Sequence, residues 1–380
     1  MKIAFDARSV KNPFGGLGRY TGTLLNNVLA RSKEYDHFFV IIDEKESLTN
    51  NPFLKRAKDS NKENITFVRS SSRIVSIKQQ ITISLLIKKL NVDVYFYPHF
   101  DPPLLINTPT LFVLHDFTPF VLPYFIKKQK LLKKIYIKTL ISLALAAPNK
   151  HAFAVSNATR QDAKKYLFGN ASKNIDVIGE AAFPPIENDE KIRPEIKRLA
   201  ATRFLFYIGN RRPHKNIKLA IEIFLKLSEQ FGYTGNFILA GSPKNYGADL
   251  ESHTNQNDSI KFIGTITDAE LDYLYSNSDG LLFLSDYEGF GLPVVEAGIR
   301  GKKIITSGKG SLKEVAPPWA CFLDTSESDI TSLAETTSQY LSSAPPLFSE
   351  VEKYTKKFSW TDAADKVLKK FEEIRQKKPT

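Results

Sequence analysis

Asp286-Tyr-Glu-Gly-Phe-Gly-Leu-Pro-Val-Val-Glu296 follows directly on the apolar run Gly280-Leu-Leu-Phe-Leu-Ser285. The run is short and unbroken, which predicts a buried strand over 280–284. Gly289 and Gly291 open a loop in which backbone can approach a ligand closely. Pro293 suits the first turn of a helix, where its missing N–H would have no partner in any case. The helix is predicted over 293–300. Strand, glycine loop and helix therefore follow one another, with Glu288 in the loop and Glu296 about two turns into the helix. In open α/β sheets ligands bind beyond the carboxyl ends of strands. That rule puts Glu288 at the mouth of a crevice. A plain strand–turn–helix with one surface and one half-buried glutamate accounts for the glycines equally well; the two glutamates eight residues apart are the more specific feature.

The rest of the chain extends this α/β reading. Its 380 residues, 42% hydrophobic and 25% charged, have ordinary globular composition and suffice for two domains with separate cores. In residues 1–180 strands are predicted over 2–7, 38–42, 65–68, 92–97, 110–115, 152–155 and 175–178. Helices are predicted over 18–31, 74–90, 127–147 and 157–167. Residues 184–202 turn polar and proline-bearing, as an interdomain connection would. A second series then begins at Phe204, with strands over 204–209, 237–240, 261–263, 280–284, 303–306 and 320–323. Its helices are predicted over 217–231, 268–276, 293–300 and 329–341, with a final helix over 360–375. This alternation predicts two doubly wound, Rossmann-like domains facing a central cleft.

Composition narrows the class further. The lone Cys321 excludes an intrachain disulfide and a cysteine-built metal cluster. Met1-Lys-Ile-Ala-Phe-Asp-Ala-Arg8 carries charge inside its apolar run and reads as a first strand. No apolar run approaches the ~20 residues of a spanning helix. These features predict a cytoplasmic protein. The net charge of +12 is uneven: residues 1–180 hold 27 basic and 14 acidic side chains, residues 181–380 hold 26 and 27. A basic first half fits a polyanionic partner, and charge alone admits an acidic membrane or a nucleic acid.

Three further stretches could carry chemistry. Gly15-Gly-Leu-Gly-Arg-Tyr-Thr21 sits between the first strand and the first helix. It lacks the spacing of a dinucleotide site; it is either a tight turn or a loop whose N–H groups face a phosphate or a sugar. His115-Asp116 ends the strand Leu111–His115, where an imidazole can donate to a sugar hydroxyl or serve the fold alone. Tyr207-Ile-Gly-Asn-Arg-Arg-Pro-His-Lys-Asn216 ends a strand with two arginines and a lysine before a helix, a pattern suited to a diphosphate or to a solvated basic loop. Ser156 or Asn157 reads as an N-cap, with Ser156 a weak site candidate.

Taken together, the glutamate pair around Gly-Phe-Gly-Leu-Pro, the Gly15–Thr21 loop, His115-Asp116 and the Arg211-Arg-Pro-His-Lys215 segment resemble the retaining, nucleotide-sugar-dependent glycosyltransferases of family four, which have the GT-B fold. The resemblance spans nearly the whole chain, most closely over 204–315. It implies an acceptor domain over 1–185, a nucleotide-sugar domain over 203–358, and a helix over 360–376 packing back on the first. It implies a hexosyl transferase, mannose- or rhamnose-like, acting in surface polysaccharide or glycoconjugate synthesis. The donor would be a GDP-, UDP- or dTDP-sugar and the acceptor a glycan or a lipid-linked saccharide, with no cofactor and no nucleic-acid partner. By the same resemblance Lys215 holds the leaving diphosphate, and Glu288 and His115 lie at the donor sugar. Gly15 and Gly16 approach the donor, Gly241 lies near the nucleotide, and the N–H groups of Phe290, Gly291 and Leu292 meet sugar hydroxyls. Glu296 takes the ribose. This chain departs from the family at Asn210, where an arginine is usual, so Arg211 or Arg212 must supply that charge.

Asp286-Tyr-Glu288 also has the spacing of a metal-binding acid pair. Because cations already stand ready for a diphosphate, the expectation is a metal-independent enzyme. A nucleotide-sugar epimerase of the same fold and a non-catalytic glycan-binding relative are the alternatives. Finally, Lys127, Lys130, Lys134 and Lys138 share one face of the helix predicted over 127–147, with Leu132, Ile135 and Thr139 opposite. Such a basic amphipathic helix is expected to lie on an acidic membrane surface.

Overall fold

The computed structural model describes the chain apart from residues 13–14, 61–62, 123–127, 169–174, 184–191, 242–256 and 377–380, and apart from the side chains of 128–133. The chain divides into two compact units, Met1–Glu180 with Ser359–Thr380, and Ala181–Phe358.

The first unit runs β1 (Lys2–Asp6), α1 (Gly16–Arg31), β2 (His37–Asp43), α2 (Pro52–Asp59), β3 (Ile65–Ser70), α3 (Ile77–Leu90), β4 (Val94–Tyr97), β5 (Thr110–Leu114), α4 (Thr118–Val121), α5 (Lys128–Ala146), β6 (Lys150–Ala154), α6 (Asn157–Tyr166) and β7 (Ile175–Val177). Its seven strands are all parallel, in the order β3-β2-β1-β4-β5-β6-β7. Every residue of β4 and β5 is buried, as a parallel sheet covered by helices on both faces requires.

The second unit runs α7 (Pro194–Leu199), β8 (Phe204–Ile208), α8 (Ile217–Phe231), β9 (Asn236–Ala240), β10 (Ile260–Gly264), α9 (Asp268–Asn277), β11 (Gly280–Phe283), α10 (Leu292–Gly298), β12 (Lys303–Thr306), α11 (Ser311–Val315), β13 (Cys321–Phe322), α12 (Ile330–Ser342) and α13 (Phe348–Thr355). Its six parallel strands stand in the order β10-β9-β8-β11-β12-β13. Both sheets are doubly wound: the strand order reverses between β1 and β4 in one and between β8 and β11 in the other. The two-sheet α/β architecture read from the sequence is thus the one observed. Arg193, just before α7, pairs with the buried Glu270 at 2.7 Å, so the segment entering β8 is anchored within the second unit.

The last helix, α14 (Trp360–Gln376), belongs to the first unit. Its buried residues Trp360, Ala363, Ala364, Val367, Phe371 and Ile374 recur at helical spacing and form one apolar stripe. Phe371 meets Phe96 of β4 edge-on at 5.8 Å, and Trp360 meets Tyr20 of α1 at 5.6 Å. At the rim Arg31 bonds the carboxylate of Asp365 through Nε and Nη2.

The helices absent from the sequence reading are short. α2, α4, α7, α11 and α13 span four to eight residues each, too few to show a period. Caps and packing make them instead. For α2 the side chain of Asn51 accepts from the N–H groups of Phe53 at 3.2 Å and Leu54 at 3.3 Å, with Pro52 at the first helical position. α3 begins at Ile77, three residues later than expected, because Ser76 caps it by accepting from Gln79 N–H at 3.3 Å.

Candidate active site

In the second unit the switch in strand order puts the carboxyl ends of β8 and β11 side by side, which is where a doubly wound sheet receives ligands. The loop after β8 begins with Gly209. A Cβ there would fall 2.9 Å from the Tyr207 hydroxyl, which donates to the Asn210 carbonyl at 2.9 Å and so ties the turn. Next to it a Cβ on Gly241, after β9, would fall 2.0 Å from the Gly209 carbonyl oxygen. Gly241 is therefore a close-approach glycine, with φ at +132°.

The basic residues of this loop part company. Arg211 is buried, its guanidinium 4.0 Å from the centroid of the Phe262 ring on β10. Arg212 and Asn210 are exposed, with Asn210 Oδ1 accepting from Arg212 N–H at 3.4 Å. Lys215 is buried, and its ammonium is ion-paired to the carboxylate of Glu288 in the loop after β11. Around this pair the two loops are stitched by backbone: Asp286 N–H donates to the His214 carbonyl at 2.8 Å and Asn216 Nδ2 to the Leu284 carbonyl at 2.9 Å. Lys215 stands two residues before Ile217, the first residue of α8, and the Asn216 N-cap between them makes no side-chain cap bond. A lysine just ahead of a fifteen-residue helix in sequence is a pattern that favours an anion.

Gly291 caps α10 with φ at +103°, and a Cβ there would meet Leu312 Cδ2 at 2.7 Å. Phe290 is buried and meets Phe358 edge-on at 6.1 Å. Leu292 is the first residue of α10, which continues through Glu296. The Glu296 side chain is only 3% exposed, and Oε2 accepts from the Tyr275 hydroxyl at 3.0 Å. Tyr275, on α9, is a partner the sequence reading did not name. It packs edge-on against Phe206 at 5.3 Å with Arg300 over its ring at 5.4 Å. Burial and the charge of Glu288 push the Tyr207 hydroxyl well above its ordinary pKa, so it keeps the proton it donates to the Asn210 carbonyl.

Asp286 and Glu288 do not share a partner. Asp286 is ion-paired with Lys309 at 2.9 Å and accepts from Thr325 at 3.4 Å, whereas Glu288 faces Lys215. Among the described residues no group of three or more His, Cys, Asp or Glu side chains is arranged to hold a metal ion.

In the first unit Gly15 caps α1, and a Cβ on Gly16 would meet nothing within 4 Å. Its backbone is open on that side, toward a cavity of about 470 Å³ also lined by Lys11, Asn12, Asp43 and Arg73. Hydrogen bonds of Arg8 tie the cavity floor together. Arg8, with Nε at 2.9 Å and Nη2 at 2.8 Å from the two Asp6 oxygens, also donates to the Ser72 carbonyl at 2.8 Å.

His115 lies just past β5. Its Nε2 is 3.0 Å from the Pro98 carbonyl, which can only accept, so Nε2 carries the proton. Nδ1 faces Glu180 at 3.5 Å, and Tyr20 stands edge-on to the ring at 4.7 Å. Asp116 accepts from Thr118 N–H at 3.0 Å and shapes the loop. Ser156 caps α6 by accepting from Thr159 N–H at 3.0 Å. Glu180 escaped the sequence reading, and Tyr20, although inside the Gly15–Thr21 stretch, was not singled out; only the fold brings both to His115. The stretch Gly15–Thr21, expected as a loop, is instead the N-cap and first turns of α1; the proline and phenylalanine before it, and Ser242 and Pro243 after Gly241, lie outside the described residues.

Residues 188–358 match the family described as glycosyl transferases group 1. Solved structures agree over the whole chain: HepE from Anabaena, determined with UDP and glucose, superposes with TM-score 0.66 at 16% identity, covering 98% of this chain and all of that one. WaaG, a glycosyltransferase involved in lipopolysaccharide biosynthesis, gives 0.67 at 13% identity, covering 96% and 98%. Fold and matched domain together define the chain as a glycosyltransferase of GT-B architecture. In sequence it is 25% identical to O-antigen chain mannosyltransferase B of Escherichia coli over 355 residues, 87% of this chain and 89% of that one. It is also 25% identical over 247 residues to O-antigen chain mannosyltransferase RfbU of Salmonella typhimurium, 64% of each chain.

Proposed function

We propose that this protein is a family-four, retaining hexosyltransferase that moves a mannose- or rhamnose-like unit from a nucleotide-diphosphate sugar to a glycan or lipid-linked acceptor in surface polysaccharide synthesis. The observation that carries the reading is Lys215, ion-paired with Glu288 across the loops that follow β8 and β11 and two residues ahead of α8. The mannose preference rests on the O-antigen mannosyltransferases to which the chain is similar along most of its length.

In this reading the bond between the sugar C1 and the β-phosphate oxygen breaks, and negative charge grows on the diphosphate. A preorganised cation stabilises that charge most when it needs no rearrangement to meet it. Lys215 is such a cation. Arg212 rather than Arg211 supplies the charge that Asn210 lacks, because Arg212 is exposed while Arg211 is buried against Phe262. The acceptor oxygen forms its bond to C1 on the face the phosphate leaves, and its proton passes to the departing phosphate oxygen. Glu288 and the N–H groups of Phe290, Gly291 and Leu292 orient the sugar, Glu296 takes the ribose hydroxyls, and His115 takes a hydroxyl of the transferred sugar. Gly15 and Gly16 lie at the donor, and the acceptor occupies the first unit. The site works without a metal ion.

A thermal-shift screen of GDP-, UDP- and dTDP-sugars, followed by product analysis with the stabilising donor, tests the reading, since a ligand that binds only the folded state raises the melting temperature. A GDP- or dTDP-hexose is expected to stabilise the protein and to yield a product of unchanged anomeric configuration. Stabilisation by none of the three classes, or an inverted product, overturns it.

A further inference from the structure

The strand order of the first sheet reverses between β1 and β4, and Pro98-His-Phe-Asp101 leaves β4 at that switch, where a doubly wound sheet receives ligands. A chain of buried polar side chains meets there. Asp101, 3% exposed, accepts from the Tyr97 hydroxyl at 2.8 Å, from Gln79 Nε2 and from His99 Nδ1. Gln79 Oε1 in turn accepts from Arg8 Nη2 at 3.3 Å. Burial and the charge of Asp101 push the Tyr97 hydroxyl well above its ordinary pKa, so it keeps the proton it donates to Asp101. Packing alone does not call for such a chain, since apolar side chains of similar volume would fill the space without burying charge. What the chain does is fix one imidazole.

A carboxylate only accepts, so His99 Nδ1 carries the proton and Nε2 of the neutral ring is left with a lone pair. Nε2 has no bonding partner among the described residues and is open to solvent. The Phe100 ring lies 4.3 Å from the His99 ring, tilted by 34°. Tyr136 of α5 is 40% exposed, and burial together with the charge of Asp101 raises its hydroxyl above the ordinary value, which places the phenol near the same carboxylate. A fixed lone pair beside aromatic rings suits a sugar: one hydroxyl donates to the nitrogen and the C–H face lies against a ring.

Charge narrows the ligand to a neutral one. Arg8 is ion-paired with Asp6 at 2.8 Å. Of the lysines expected on one face of α5, Lys134 and Lys138 lie over the rings of Phe120 and Phe168, while Lys127 and the side chain of Lys130 lie outside the described residues. This corrects the sequence expectation for α5, because Ile135, placed opposite the lysines, is 52% exposed. The same segment also carries the imidazole assigned to the transferred sugar: the Pro98 carbonyl accepts from His115 Nε2 at 3.0 Å.

We propose that His99 binds the acceptor saccharide. Its Nε2 accepts a hydrogen bond from a non-reacting hydroxyl of a neutral sugar, Phe100 and Tyr136 flank the sugar's apolar face, and Asp101 is the positioning residue that holds the imidazole in the required tautomer. The reacting hydroxyl is a different one, so its proton remains available to the departing phosphate. The inference rests on the transfer reaction proposed above, with the acceptor in the first unit, and names the residues that read it.

Two substitutions separate the two ring nitrogens. His99→Asn keeps an N–H at the place of Nδ1, and with it the bond to Asp101, but presents nothing at Nε2. His99→Gln carries an amide oxygen to the place of Nε2 and gives up the bond to Asp101. Mannobiose titrated into the full chain and followed by saturation-transfer NMR is the probe. The wild type is expected to bind it, His99→Asn to bind about tenfold more weakly, as the loss of one hydrogen bond implies, and His99→Gln to keep most of the affinity. Tyr136→Ala, at a side chain already exposed, is expected to weaken binding at an unchanged melting temperature. Thermal shift by nucleotide sugars reads the donor site separately and should be the same in all four proteins; its absence in the wild type counts against the proposed function and leaves the mannobiose result to judge His99. A wild type that binds no mannobiose, a His99→Asn variant that binds as the wild type does, or a His99→Gln variant that binds no better than His99→Asn overturns the proposal.

Discussion

Lys215 and Glu296 are both buried beside a carboxyl end of the second sheet, yet their substitutions should fail differently. Lys215 is assigned to charge that develops only as the diphosphate leaves. Lys215→Ala is therefore expected to lower turnover by ~10²–10³, by analogy with the loss of one oxyanion-hole donor. Steady-state rates at saturating donor decide this, and unchanged turnover removes Lys215 from the chemistry. Glu296 is assigned to the ribose, whose contacts change little between ground and transition states. Glu296→Ala is expected to weaken nucleotide binding with a smaller effect on turnover at saturation, read by titration calorimetry. Because that change also strips Tyr275 of its acceptor at 3.0 Å, the companion variant Glu296→Gln preserves the bond and isolates the effect on the nucleotide.

At the scale of elements, function depends on how α10 is launched from β11. Gly291 turns the chain with φ at +103° and leaves 2.7 Å between a would-be Cβ and Leu312 of α11. Gly291→Ala is expected to cost about 1–3 kcal/mol from backbone strain, with the clash against Leu312 added. A chemical denaturation series checks the first part, and donor affinity checks whether the loop at Phe290–Leu292 has moved. Wild-type stability would show that the loop relaxes freely. Helix α14 is the counterpart in the first unit: its stripe from Trp360 to Ile374 covers α1 and β4, the elements that carry Tyr20 and Phe96.

For the whole molecule, the distribution of charge bears on both metal use and location. Asp286 and Glu288 are each committed to a lysine, Lys309 and Lys215. Full activity in excess EDTA is therefore expected. Loss of activity on chelation with recovery in Mn²⁺ would make Asp286 and Glu288 metal ligands and overturn the cation-based mechanism. The basic excess of the first 180 residues, 27 side chains against 14, is concentrated in part on acid-free helices α3 and α5. It is there that binding to an acidic surface should weaken as salt rises.

What the sequence determined by itself was the order and type of the long elements. Strands buried on both faces must be continuous apolar runs, and helices of ten or more residues must show their period, so both were readable without a partner in view. The motif residues Gly209 to Lys215 and Asp286 to Glu296 were readable for a related reason: glycine, proline and charge at strand ends have local causes. The short helices α2, α4, α7, α11 and α13 escaped because caps and contacts make them, not periodicity. Tertiary structure alone decided the pairings. Lys215 meets Glu288 across 73 residues, Tyr275 reaches Glu296 across 21, and His115 faces Glu180. It also sorted Arg211 from Arg212, adjacent in sequence and alike in chemistry, by burying one on Phe262 and leaving the other in solvent. The same holds for α5, where Lys134 and Lys138 lie over the rings of Phe120 and Phe168 while Ile135 is exposed, and for α3, whose Ile77, Ile81 and Leu85 are exposed. Periodicity reports that a helix has two faces; which face meets the core is settled by the surfaces that fold against it.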